Sequence, residues 1–156
     1  MVEMTKIYKG NIIFTKVKES FTIIENGYIK VFDGIIEAIY DVLPESDKHM
    51  EIVDFGDQLL IPGFVYIHFH GPQYENIGLG YDEQLLGWLE KYTFKAEEKY
   101  DDLEYSKKAY EIAIDNLLIN GTTRAVILGT IHKTSTIELS KIAKEKGLEV
   151  FVGKVN

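Results

Sequence analysis

The sequence predicts an α/β protein: a small antiparallel β module over residues 1–58, then alternating strands and helices over residues 59–156. Three observations lead there. Short apolar runs separated by Asn-Gly and Asp-Gly pairs fill the first segment. An almost unbroken apolar stretch begins at Leu59. Two helical patterns then alternate with two more apolar strands, which is the order of right-handed βαβ units.

In the β module, Ile12-Ile13-Phe14 forms one apolar run and Phe21 to Ile24 another. Asn26-Gly27 follows and predicts a hairpin turn, because both residues tolerate positive φ. Tyr28 to Phe32, the turn Asp33-Gly34, and Ile35 to Tyr40 complete a meander, and a loop with Pro44, Ser46 and Asp47 leads to Ile52 and Val53. From Leu59 to Val65 the chain is nearly all apolar, which predicts a strand buried on both faces with Pro62-Gly63 near its start. Asp101 with Glu104 predicts a helix start. Tyr105, Ala109, Ile112, Ala113 and Leu117 then recur at helical spacing, and Asn120-Gly121 is a stop. A strand over Arg124 to Leu128 follows. The second helix is predicted to open at Ser135 with Glu138 and to close at Gly147, with Lys144 and Lys146 suited to its dipole. A last strand runs from Glu149 to Val155.

The segment from Gly71 to Tyr100 is long for a strand-to-helix connection. It carries Trp88, Tyr74, Tyr81, Tyr92, Phe94 and Tyr100, and reads equally well as a pocket wall or as a packing excursion with a helix around Gln84 to Glu90.

Composition narrows the partners. The chain has 156 residues, 46% of them hydrophobic, which suits a globular domain with a real core. It has 25 acidic and 17 basic residues, a formal charge of −8, and no stripe of Lys or Arg, so a nucleic-acid backbone is not expected as a partner. It has no cysteine, which excludes disulfides and thiolate metal sites. No segment reads as a signal peptide or a membrane span, and a cytoplasmic location is expected by default.

The sharpest chemical signal is His68 and His70. They stand two residues apart at the C-terminal end of the first buried strand, and a strand repeats every two residues, so both rings point to one side. Two imidazoles so placed can reach one metal ion at about 2.0–2.1 Å. His132 lies just past the next strand and reads mainly as a capping or solvent group, while His49 reads as surface.

Ile61-Pro62-Gly63-Phe64-Val65-Tyr66-Ile67-His68-Phe69-His70 resembles the amidohydrolase signature, in which an apolar strand with Pro-Gly ends in His-x-His. Gly71-Pro72-Gln73-Tyr74 and Leu86-Gly87-Trp88-Leu89-Glu90-Lys91-Tyr92-Thr93-Phe94 are similar to the guanine deaminase branch. So are Asn120-Gly121-Thr122-Thr123, Gly129-Thr130-Ile131-His132 and Phe151-Val152-Gly153-Lys154-Val155. The likeness runs from about Leu59 to Asn156 and covers the β module more loosely. In one position the chain departs from the pattern: the family has an aspartate two residues before the first histidine, where this chain has Tyr66.

The resemblance implies a partial (β/α)8 TIM barrel of about three strands, preceded by a β module that forms part of a composite sandwich. It implies a single zinc ion held in part by His68 and His70, with Gln73 on the edge of the purine. Trp88 reads as core packing or as an apolar wall for the purine. The implied reaction is hydrolytic deamination: water replaces the exocyclic amine of guanine, ammonia leaves and xanthine remains, in purine catabolism. The zinc activates the water and a glutamate shuttles protons. The family's other ligands, two histidines and an aspartate, and its glutamate belong to later strands, so no catalytic residue is assignable within these 156 residues. A homo-oligomer is expected. The alternatives are an amidohydrolase acting on a pterin, triazine or cytosine-like ring, and a non-catalytic truncated fragment.

Overall fold

A computed structural model describes residues 5–156. The chain divides into two compact units, with the boundary between Pro62 and Gly63. The first unit holds one sheet of four strands: β1 (Thr5–Val17), β2 (Ser20–Phe32), β3 (Ile35–Tyr40) and β4 (Ile52–Leu60), in the order β3-β2-β1-β4. The first three strands form an antiparallel meander, as expected, but β4 lies parallel to β1, so the sheet is mixed rather than antiparallel.

Asn26-Gly27 is not a hairpin. It lies inside β2, which runs unbroken past it; the chain reverses instead at Lys18-Glu19, where Val17 pairs with Ser20. Asn26 has φ 52°, and the β1–β2 register slips between Gly10 and Ile12. The pair therefore makes a bulge, the other structure that its tolerance of positive φ permits. Asn11 stabilises it: its Oδ1 accepts from the Asn26 N–H at 3.1 Å, while its Nδ2 donates to the Asp57 carbonyl at 3.0 Å on the opposite neighbour. Asp33-Gly34, with φ 47° and 79°, is the expected tight turn.

The strand expected to begin at Leu59 also needs correction. Leu59 and Leu60 pair with Asn11 and Ile12 and so end the first sheet. One apolar run contains the ends of two strands in two units, and Pro62-Gly63 separates them, since proline cannot donate to a ladder. The division expected after residue 58 thus falls after residue 62.

The second unit is a parallel sheet of β5 (Phe64–His70), β6 (Thr122–Leu128) and β7 (Glu149–Gly153), in that order. Between β5 and β6 the chain makes a 3-10 turn (Gly71–Asn76), then α1 (Leu85–Trp88), a π turn (Leu89–Thr93), α2 (Phe94–Glu98) and the long helix α3 (Leu103–Ile119). Helix α4 (Lys133–Glu145) joins β6 to β7. The core gathers Tyr100, Tyr110, Ile114, Ile127, Leu139 and Ala143, together with other side chains of α3, β6 and α4. Ser135 does not open α4: it is buried within the helix, against the Tyr110 hydroxyl at 3.3 Å, and His132 is the N-cap residue. Nor is β5 buried on both faces. Phe64, Val65 and Ile67 are exposed among the described residues, because α3 and α4 cover only part of the sheet.

Helix α3 starts one residue later than expected. Asp102 is its N-cap, accepting from the backbone N–H groups of Glu104 and Tyr105 at 2.9 and 3.3 Å. Asp101 instead faces the His132 ring at 3.2 Å. Asp102→Ala is therefore expected to cost about 1 kcal/mol of stability. Asp101→Ala removes only a surface pair and should cost less than about 0.5 kcal/mol. Urea melts of the two variants, compared with the parent, check this.

Candidate active site

The site is built at the C-terminal end of β5. Pairing with β6 places Phe69 opposite Ile127 and His70 opposite Leu128, which fixes the strand up to its last residue. Strand alternation then brings the two rings together: His68 Nε2 lies 3.1 Å from His70 Nε2. Two nitrogens sharing one tetrahedral ion at the usual zinc–nitrogen distance lie about 3.3 Å apart. The pair therefore has the chemistry and the spacing of two ligands to one cation. Among the described residues no third His, Cys, Asp or Glu joins them in a group able to hold a metal ion.

His70 has a second neighbour, Gln73, whose Nε2 lies 3.1 Å from His70 Nδ1 and donates to Glu97 Oε1 at 3.0 Å. Partial burial pushes the His70 pKa below the ordinary imidazole value of 6.5; the neighbouring His68 pushes the same way and Glu97 opposes both. Near neutral pH the ring is thus uncharged, the form in which a histidine offers a lone pair.

These residues open on a cavity of about 560 Å³, within the range of small-molecule sites. Tyr66, His68, His70, Gln73 and Trp88 all line it, so the structure brings the sequence-selected residues to one place. Tyr66 lines the cavity with the histidines, and its ring lies 5.5 Å from that of Phe69, which reaches the same cavity because the β5–β6 register slips between the two. The long connection is both a pocket wall and a packing excursion. Trp88 lines the cavity while its Nε1 donates to the Leu79 carbonyl at 3.1 Å, and Gly80, at φ 69°, passes so close that an added Cβ would lie 2.8 Å from the Trp88 ring.

The π turn orients this wall. Trp88 and Glu97 are nine residues apart, and nine steps of a regular α-helix, at about 100° each, would put them on opposite sides. The extra residue of a π turn reduces the angle to about 80°, so that Trp88 reaches the cavity and Glu97 reaches Gln73.

His132 does not line the cavity; it pairs with Asp101. His49 is exposed in the first unit, as expected. Sequence reasoning missed Glu97: its partner is 24 residues away, and a glutamate on a helix carries no mark of such a contact.

Comparison with known proteins places the chain in a family. The guanine deaminase of Dictyostelium discoideum is 34% identical over 170 residues, covering 98% of this chain and 38% of the relative. That of Escherichia coli (strain K12) is 37% identical over 145 residues, covering 90% of this chain and 32% of the relative. A crystal structure of guanine deaminase from C. acetobutylicum, with guanine bound in its active site, superposes with a TM-score of 0.93 at 45% identity, covering 97% of this chain and 36% of that one.

By sequence, this chain belongs to the guanine deaminase family.

Guanine deaminases are hydrolases of the amidohydrolase superfamily. The chain spans between 32% and 38% of the length of these relatives. No family model matches it. Tyr66 lines the same cavity as His68 and His70.

The environment of His70 gives a pH dependence with a definite sign. Its folded pKa lies below 6.5, so the unfolded chain binds the proton more tightly, and this group removes stability as pH falls from about 6.5 towards the folded value. In an NMR titration of the ring, His68→Ala is expected to raise the His70 pKa, and Glu97→Gln to lower it further.

Proposed function

We propose that this chain supplies the first strands and the first part of the active site of a guanine deaminase, which converts guanine and water to xanthine and ammonia. The carrying observation is that His68, His70 and Gln73 meet at the end of β5, on one cavity. The relationship to guanine deaminases, one of them holding guanine in its active site, supports the substrate. We further propose that β5, β6 and β7 are strands of a (β/α)8 barrel, a fold whose active sites lie at the C-terminal ends of the strands. The sheet of the first unit is one layer of a sandwich in this reading.

His68 and His70 would hold the metal, which we take to be zinc. A bound zinc ion supplies the positive charge that lowers the pKa of water towards ~7. The residues of this chain do the positioning. The uncharged His70 ring keeps its lone pair available, the Gln73 amide offers hydrogen-bonding groups to the purine edge, and Trp88 presents a flat apolar surface beside it. Two imidazoles are fewer than the three protein ligands usual for a catalytic zinc, so the remaining ligands and the proton-shuttling glutamate come from elsewhere in the active protein. Purine catabolism, a cytoplasmic location and assembly with further copies complete the reading. The absence, among the described residues, of any helix long and apolar enough to cross a membrane is compatible with it.

The residues 1–156 alone are expected to bind zinc weakly and to show no guanine turnover. Metal analysis after dialysis against a mild chelator and loss of guanine absorbance are the two measurements. Tight one-to-one zinc binding that disappears in His68→Ala or His70→Ala would show that a third ligand lies within this chain.

In the full-length protein, guanine is expected to give xanthine, identified by chromatography. Gln73→Ala should lower guanine turnover about tenfold or more while leaving the zinc content unchanged, since the lost group touches the base and not the metal. Tyr66→Asp should tighten zinc binding by restoring a carboxylate beside the two rings. A zinc-loaded protein that ignores guanine but turns over a pterin, triazine or cytosine-like ring would keep the superfamily and change the substrate. One that turns over none of them would favour a non-catalytic role.

A further inference from the structure

Glu97 stands outside the metal pair, yet its carboxylate meets the one amide on the cavity that the proposed function assigns to the purine. An ionised carboxylate only accepts hydrogen bonds, so the atom that Gln73 turns towards Glu97 has to be its nitrogen. The same nitrogen also lies 3.1 Å from His70 Nδ1. A neutral ring that offers its Nε2 lone pair carries its proton on Nδ1 and cannot accept from an amide N–H, which leaves Glu97 as the acceptor that holds the nitrogen in place; without it the two ends of the amide are nearly equivalent in shape and either could face a ligand.

The surroundings hold Glu97 still. Its neighbour Ala96 is buried, as is Tyr100 one turn later. The residues that flank helix α2 are tied to the turn after β5 by two other contacts, Lys99 Nζ to Glu75 Oε1 at 2.9 Å and Asn76 Nδ2 to Thr93 Oγ1 at 3.5 Å. The two segments are thus joined without help from Glu97, and the Gln73–Glu97 bond is free to serve orientation rather than docking.

We propose that Glu97 is a positioning residue for substrate recognition: by accepting from Gln73 Nε2 it fixes which end of the Gln73 amide is presented to the base. This rests on the reading of Gln73 as a purine-contacting group. Glu97 does not touch the substrate in this reading; it acts through Gln73. The substrate edge it selects for is the hydrogen-bonding edge of an amino-oxo ring, where an amide with its ends reversed would set donor against donor or acceptor against acceptor.

The test uses the full-length, metal-loaded protein with Glu97→Gln, which keeps shape and volume but can present either a donor or an acceptor to Gln73. Glu97→Ala serves as a second variant, with circular dichroism melts for both. The expected result is a rise of about five- to tenfold in KM for guanine, the scale of one hydrogen bond, with a smaller change in kcat and with metal content equal to that of the parent. In a Gln73→Ala background, Glu97→Gln should have no further effect, because the group it orients is gone. An unchanged KM, an effect of the same size in the Gln73→Ala background, or a loss of metal would each overturn the proposal. If the parent protein does not act on guanine at all, the functional reading fails instead. In that case zinc content and melting of Glu97→Gln match the parent if Glu97 serves only the amide, and a drop in either assigns it to the metal pair or the fold and overturns the positioning role.

Discussion

The parallel ladder between β5 and β6 is the constraint on which the site depends. Phe64 N–H donates to the Gly121 carbonyl at 2.8 Å at one end of β5, and His70 lies opposite Leu128 at the other. The register slips between these anchors, at Phe64/Val65 and between Tyr66 and Phe69, but at the far end the pairing is regular and His68 and His70, two residues apart, turn their rings to one side. The turn after His70 then starts from a fixed point, and Gln73, Glu75 and Asn76 each leave it towards a partner on the helical segment that follows. Loss of the ladder would scatter all of these at once. The converse does not hold: removing one imidazole leaves the backbone bonds of the ladder intact.

The helical segment supplies what a strand end lacks. A strand terminus offers side chains but little enclosure, and the cavity beside His68 and His70 exists because the loop through Gly78 and Gly80 folds over Trp88. Glycine is needed at position 80 for two reasons, its φ of 69° and the lack of room for a Cβ against the Trp88 and Tyr92 rings. The π turn is a rare local conformation that is frequent at functional sites. Here it lets one short helical segment reach the cavity with Trp88 and the Gln73 amide with Glu97.

How much of this was legible in the sequence follows from the range of each interaction. His68 and His70 were readable because their relation is local, set by the strand period. The Asp33-Gly34 turn was readable for the same reason. Asn26-Gly27 was misread because positive φ suits a bulge as well as a turn, and the choice depends on Asn11, fifteen residues away. The run from Leu59 to Val65 was misread as one strand because hydrophobicity does not reveal to which sheet a residue is bonded; only the pairing of Leu60 with Ile12 does. Asp101 and Asp102 differ in one hydrogen-bond geometry that composition cannot rank. The Gln73–Glu97 contact spans 24 residues between two polar groups of ordinary type, and nothing in the local pattern distinguishes it from solvated surface.

Tyr66 is the point at which local and long-range constraints meet. The strand β5 delivers it to the same cavity as the two histidines, and the register slip that follows lets its ring find Phe69 at 5.5 Å. A carboxylate in that place would add negative charge beside the imidazoles, favouring a cation; a phenol adds volume and a hydroxyl but no charge at neutral pH. The attraction for a metal at this end of the strand must then come from the imidazole lone pairs and from groups on other elements. The lowered pKa of His70 favours the lone pair, since partial burial and the nearby His68 both oppose its protonation. The same burial that discourages a proton also discourages any uncompensated cation. In the proposed reading, metal affinity at this pair would therefore depend on how many anionic or neutral donors join the cavity from other elements, more than on the histidines themselves.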